Sequence, residues 1–231
     1  MGKILPGVIV AFENPKGGSG KSTISALFAG YIHATGKDSN LSIGVIDIDD
    51  AQNTLGKMRL AEERLSESEI DDKYQIMNIS SESLPEQIEY MKEAFDIILI
   101  DFPGTLKQPG VIECLMLVDI MIIPFEVSQA SLDATMAFYE FYKEEILSKR
   151  TELGFKTTVR ALPNRVVSNQ IEYNYLLNHQ ENLPFKLLKH HIKNSIVEYQ
   201  RNFSTIIQNY GEQNEDFGIE VVNLITEHLN K

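Results

Sequence analysis

The chain has 231 residues, enough for one sizeable α/β core and a tight fit for two independent domains. An apolar fraction of 43% with 23% charged residues is the balance of a globular protein and excludes disorder as the default. The formal net charge of −12 opposes long-range attraction to nucleic acid or anionic lipid, and the single cysteine, Cys114, excludes a disulfide framework or an all-cysteine metal site within one chain.

No apolar run approaches the roughly 18–20 residues that span a bilayer. The opening MGKILPGVIVAFEN lacks a small-residue cleavage site and reads as a first strand rather than a signal peptide, so a reducing, cytosolic setting is expected. Residues 7–12, GVIVAF, form the continuous Val/Ile-rich run of a strand buried on both faces. The glycine-rich NPKGGSGKST follows. In the next segment Ile24, Leu27, Phe28, Tyr31 and Ile32 fall at helical spacing up to a stop at Gly36.

A second strand, 41–49, runs into carboxylates and is followed by a polar helical segment over 52–66. The acidic run EERLSESEIDD at 62–72 reads as a solvated helix end or loop. A third strand is expected at 74–80, a helix at 84–95, and a strand at 96–101 that ends in Asp101. A helix over GVIECLMLV leads to a buried strand at 120–125, then to a long helix at 131–149 with Ser131 as its cap. A strand and turn at 156–166, a helix at 169–181, an edge strand within PFKLLKHHI and a closing amphipathic helix at 219–230 complete the order. Strands alternating with helices predict right-handed βαβ units: an α/β chain with a mostly parallel, doubly wound sheet flanked by helices in three layers, in a single domain over 1–231.

The loop between the first strand and the first helix carries the chemistry. Gly20-Lys21-Ser22 end it as a phosphate-binding loop ends, but the first glycine of G-x-x-x-x-G-K-[ST] is replaced by Pro15 and followed by Lys16. Gly17, Gly18 and Gly20 let the backbone curl so that its N–H groups, that of Ser19 included, point inward; the helix N-terminus adds donors and partial positive charge. In that setting Lys21 would meet the β- and γ-phosphates, Ser22 would ligate Mg²⁺, and Thr23 would bond the α-phosphate. Asp101, at the end of a hydrophobic strand and followed by FPGT, suits a water-mediated hold on the same metal. In VIDIDDAQNT, Asp47 and Asp49 alternate along the strand. Asp49 is the choice for orienting an attacking water and Asp47 for the metal's outer shell. Asp50 competes with Asp49, because it stands just before Ala51-Gln52.

KGGSGKST, VIDIDDAQ and FDIILIDFPGT together resemble the deviant Walker A, switch and Walker B segments of ParA/MinD-type P-loop ATPases, in order and spacing over residues 8–126. LPNRV at 162–166 resembles the family's base-contacting segment. The absence of an N-terminal DNA-reading extension is similar to the small ParA ATPases of plasmids, mobile elements and conjugative transfer regions. The resemblance implies ATP and Mg²⁺ as ligands, slow hydrolysis, and an ATP-dependent homodimer in which Lys16 reaches the nucleotide of the other subunit. It implies that Asn164 and Arg165 meet the adenine, where the residues by themselves read also as a turn after a strand, and that the partners include a DNA-bound adaptor or activator. The stretch that holds Lys186, Lys189, His190, His191, Lys193 and Arg201 is the best candidate for a nonspecific DNA patch; its alternative is an ordinary solvated face, which the net charge of −12 favours. One departure stands out: where the family's switch reads D-x-D-P-Q, this chain has Asp47-Ile48-Asp49-Asp50-Ala51-Gln52, with one residue inserted and the proline gone.

Other functions on such a scaffold leave different marks. A MinD-like membrane ATPase needs a terminal helix with a basic polar face, whereas this chain's terminal segment carries Glu220 and Glu227 against Lys231 and is expected to pack Val222, Ile225 and Leu229 on the sheet. A metabolic ligase of the dethiobiotin-synthetase type would leave Lys16 without a role. A bacterial tyrosine kinase would carry a tyrosine cluster near its end, where this chain has only Tyr210, and a nitrogenase-iron-protein role fails for want of cysteines.

Overall fold

The apolar runs become a six-stranded sheet in the computed structural model, which describes residues 4–36, 40–50, 52–65, 73–195, 204–205 and 212–230. The strands are β1 (Val8–Phe12), β2 (Ile43–Asp47), β3 (Gln75–Asn78), β4 (Ile97–Asp101), β5 (Ile120–Glu126) and β6 (Thr158–Asn164), in the order β3-β2-β4-β1-β5-β6. Every neighbouring pair is parallel. The central strands β1, β2 and β4 are buried along their whole length, which explains their unbroken apolar sequences. At the edge, β3 has no fully buried residue, matching its mixed QIMN.

Period-two alternation divides the core between the two faces. Val8, Val10 and Phe12 pack with α1 (Lys21–Gly36) and α8 (Glu212–Leu229). Phe12 lies 5.9 Å from the Phe28 ring and 6.0 Å from that of Phe217, centroid to centroid. Each such ring, fully buried, contributes roughly 1.5–3 kcal/mol relative to exposure. Ile9 and Ala11 face the other layer, with α3 (Leu84–Ala94), α4 (Val111–Leu115) and α5 (Gln129–Tyr142). A π-helical turn, Lys143–Leu147, carries α5 into α6 (Ser148–Glu152). The remaining helices are α2 (Thr54–Leu65) and α7 (Ile171–Asn178).

Because all strands run one way, their carboxyl ends share one rim. β1 lies between β4 and β5, so the chain passes over it on the way from β4 to β5, and the crevice beyond the end of β1 is where such sheets receive ligands.

Three local expectations are corrected. The long helix starts at Gln129, and its cap is Ser128, not Ser131: Ser128 is extended and its side chain accepts from the Ser131 N–H. The run 184–192 forms no edge strand, only isolated bridges Ala161–Leu187 and Val166–Lys193. Pro163 in β6 has no N–H to give a ladder, and the N–H groups of Lys189 and His190 donate instead to the Glu220 carboxylate, at 2.7 and 2.9 Å. The closing helix begins earlier than expected and packs through Phe217, Val221, Leu224 and Ile225, while Leu229 stays 38% exposed. Residues 66–72, which hold most of the acidic run, and Arg201, Tyr210 and Lys231 lie outside the described residues. Among the described residues no helix is long and apolar enough to cross a membrane.

Candidate nucleotide site

β1 ends at Phe12 and α1 begins at Lys21, so the eight residues between them form the loop. Gly18 and Gly20 have φ of +77° and +88°, where a side chain is strained. Gly20 is also needed for space: a Cβ there would stand 2.5 Å from Asn164 Nδ2. That amide donates to the Ser19 carbonyl at 2.7 Å and fastens the loop to the end of β6. Asn14 fixes the other end. Its side-chain amide donates to the Pro124 carbonyl (2.9 Å) and to Thr135 Oγ1 (3.0 Å), and its Oδ1 accepts from the Lys16 N–H (3.1 Å). Gly17 and Gly18 are left exposed above a cleft of about 310 Å³ lined by residues 17–23 together with Asp49, Gln52, Thr54, Phe102, Gly104 and Arg165.

Asp47 and Asp101 are register partners at the ends of β2 and β4. Asp101 is buried, accepts from Ser25 Oγ at 3.2 Å, and is also hydrogen-bonded by the Ser22 hydroxyl. Burial first, and then the Asp47 carboxylate, push its pKa up to about 7. Asp47 accepts from the N–H groups of Asp49 and Leu55, each at 3.1 Å, and burial raises its pKa as well. Two crowded carboxylates and a serine hydroxyl are an all-oxygen donor set whose charge a divalent cation would relieve. No group of three or more His, Cys, Asp or Glu among the described residues is arranged to hold a metal by itself. The set fits magnesium, which takes one or two carboxylates and completes its shell with phosphates and water.

The aspartates of the switch run separate. Asp49 is half-buried on the cleft, and its Oδ1 accepts from the Gln52 N–H at 2.8 Å. Asp50 is exposed and points elsewhere: its Oδ2 accepts from Gln108 Nε2 at 3.1 Å. Lys16 is half-buried, and no carboxylate pairs with its ammonium among the described residues. Arg165 adopts φ +54° on the cleft and pairs with Glu126.

Glu13 and Gln108 are among the residues that escaped sequence reasoning. Glu13 follows β1, is wholly buried, and neither carboxylate oxygen has a hydrogen-bond partner. Burial pushes its pKa up to about 8 against the pull of Lys21. A carboxylate directly after an apolar strand run was a usable signal. Gln108 offered none, because its partners lie 27 to 60 residues away in sequence. The stretch expected to be basic is mixed: Lys186, Lys189 and His190 share a cleft with Asp216, Glu220 and Glu227, and His190 Nδ1 lies 2.8 Å from Glu220 Oε2. Burial and the neighbouring His190 lower the pKa of His191, and Lys193 bridges to Val166.

The sequence profile of a family described as ATPase MipZ matches residues 8–138, more than half the chain. No curated protein matches. Among solved structures, the ATP complex of Cyanothece McdA(D38A) has a TM-score of 0.65 at 17% identity, over 95% of this chain and 98% of that one. The MinD cell division protein of Aquifex aeolicus gives 0.66 at 16%, over 95% and 97%. Cobyrinic acid a,c-diamide synthase of Mycobacterium smegmatis, with bound ADP and magnesium, gives 0.64 at 15%, over 95% of each chain. Identities this low show a shared fold and leave the choice between a positioning ATPase and a metabolic enzyme to the site and to the family match.

Proposed function

We propose, from the premise that this chain belongs to the MipZ ATPase family within the ParA/MinD-type P-loop ATPases, that residues 1–231 are one domain that binds and hydrolyses MgATP as a dimerisation switch. The cellular task we assign is the positioning, partition or conjugative transfer of DNA cargo. The observation that carries the proposal is the meeting of three elements at one point: the loop start of α1 with Lys21 and Ser22, the end of β4 with Asp101, and the end of β2 with Asp47 and Asp49.

The roles follow from position. Backbone N–H groups of Gly17, Gly18, Ser19 and Gly20 would surround the phosphates, Lys21 would neutralise the β- and γ-phosphates, and Thr23 would bond the α-phosphate. Ser22, Asp101 and Asp47 would hold Mg²⁺, whose charge would offset that which develops on the transferred phosphoryl oxygens. Asp49 would orient the attacking water. Asn164 and Arg165 would meet the base; the Asn164 amide still has a hydrogen and a lone pair to give after its bonds to Ser19 and Arg165. Lys16 would extend to the nucleotide of a second copy, a role that a metabolic ligase on this scaffold would leave vacant.

An adaptor or activator that accelerates hydrolysis belongs to the same proposal. DNA contact through Lys186, Lys189 and Lys193 would compete, at the first two, with the three carboxylates of the cleft they line, so it should be weak and lost quickly with added salt. Release of phosphate from ATP tests the core of the reading: turnover with magnesium and none with a chelator is required, and magnesium-independent turnover would refute it.

A further inference from the structure

The loop that follows β4 does more than carry residues of the cleft. Phe102 and Gly104 line the nucleotide cleft, and four residues after Gly104 the side chain of Gln108 turns back onto the switch run. Gln108 Nε2 donates to the Ile48 carbonyl at 2.7 Å and to Ser81 Oγ at 2.7 Å, and lies 3.1 Å from Asp50 Oδ2. An amide nitrogen has two hydrogens. One serves Ile48, and the other is shared by the serine hydroxyl and the carboxylate. Ser81 is itself buried and spends its own hydrogen on the Pro109 carbonyl at 2.6 Å, so its oxygen is oriented to accept. One nitrogen thus joins three segments: the loop after β4, the run 48–50 after β2, and the turn after β3.

We propose that Gln108 is a positioning residue, which keeps the Asp50 carboxylate off the phosphate loop and holds the backbone of Ile48 so that Asp49 alone faces the cleft. The inference rests on the ATPase reading above and deepens it. The residue touches neither nucleotide nor metal and acts through the aspartate run. The inserted residue in Asp49-Asp50-Ala51-Gln52 places a second carboxylate beside the one assigned to the water, and a donor outside the run decides which of them turns inward.

The test compares the wild type with Gln108→Ala, Gln108→Glu, Asp50→Asn and the double variant Gln108→Glu/Asp50→Asn, measuring kcat for ATP and the Kd of a non-hydrolysable ATP analogue. Gln108→Ala and Gln108→Glu should lower kcat by about 10- to 100-fold, the cost of misplacing a reacting group by an ångström or so, while the analogue's Kd stays within about twofold. The double variant exchanges donor and acceptor at the contact between 108 and 50, leaves the Ile48 carbonyl without its donor, and should recover part of the loss of Gln108→Glu. Wild-type turnover by Gln108→Ala, or no recovery in the double variant, overturns the proposal. So does a Kd that weakens in step with kcat, since that marks a merely structural role. A wild type that does not hydrolyse ATP at all refutes the ATPase reading itself, and this inference with it.

Discussion

Lys21 Nζ donates to the Asn14 carbonyl at 3.1 Å and stands 4.0 Å from Oε2 of Glu13, a carboxylate with no exposure to solvent. The ammonium assigned to the phosphates is therefore stored at the root of its own loop, beside an acid whose oxygens have no other partner. Glu13 keeps its proton far above the ordinary carboxylate range, up to about 8, because burial outweighs the attraction of Lys21. Between about 4.5 and 8 the folded chain retains that proton and the unfolded chain releases it. The associated stability is fully present below pH 4.5 and is lost as the pH rises through 8. Asp101, raised to about 7, acts in the same direction. Glu13→Gln should therefore flatten the fall in stability from pH 5 to pH 8.5, by on the order of a few kcal/mol. Urea midpoints of the two proteins at both pH values check this, and parallel losses would contradict it.

Lys21→Ala should weaken ATP binding by about 10- to 100-fold, the worth of a charge-assisted bond to phosphate in a partly desolvated cleft. Its fold should survive, because the lost bond to the Asn14 carbonyl is one among several that hold the loop. Calorimetric titration with MgATP measures the loss, and an unchanged Kd would remove Lys21 from the site.

Asp49→Ala should leave ATP affinity in place and reduce turnover by a factor of about 100 or more, as loss of a group that orients the attacking water does. Asp50→Ala should lower turnover only a few-fold, because its carboxylate is held on Gln108 away from the cleft. Single-turnover measurements on both variants decide. The reverse ranking would place the attacking water on Asp50.

Gly20→Ala should cost both stability and nucleotide affinity. The position has φ +88°, and the new methyl would meet Asn164 Nδ2. Strain of about 1–3 kcal/mol would either pull Asn164 from Ser19 or open the loop. A lower melting temperature together with a weaker Kd for ADP is expected, and wild-type values for both would show that the loop is slack.

The central strands were legible because burial on both faces leaves a mark in every residue: VIVAF, IILID and IMIIPF could be little else. The places of the glycine loop and of Asp101 were legible for a related reason, since each closes an apolar strand run at the same rim of the sheet. Choices between neighbours were harder to read. Ser128 and Ser131 are both acceptable caps, and only the extended backbone of Ser128 selects it. Asp50, unlike Asp49, takes a hydrogen bond from a glutamine more than fifty residues away. The run 184–192 looked like an edge strand until Glu220, from the closing helix, took two of its N–H groups. In each case the deciding partner is distant along the chain, and local pattern carries no record of it.

At the centre of the proposed switch stand Lys16 and a nucleotide held between two copies of the chain. The measurement that bears on it most directly is mass in solution by light scattering, with ATP and Mg²⁺, with ADP and Mg²⁺, and with no nucleotide, for Asp49→Ala and for Asp49→Ala/Lys16→Ala. Twice the 26.2 kDa chain mass is expected for Asp49→Ala only in the presence of ATP and Mg²⁺, and a monomer with ATP still bound once Lys16 is also replaced. The same mass for Asp49→Ala in all three conditions, or an undiminished ATP dimer without Lys16, would contradict the proposed switch.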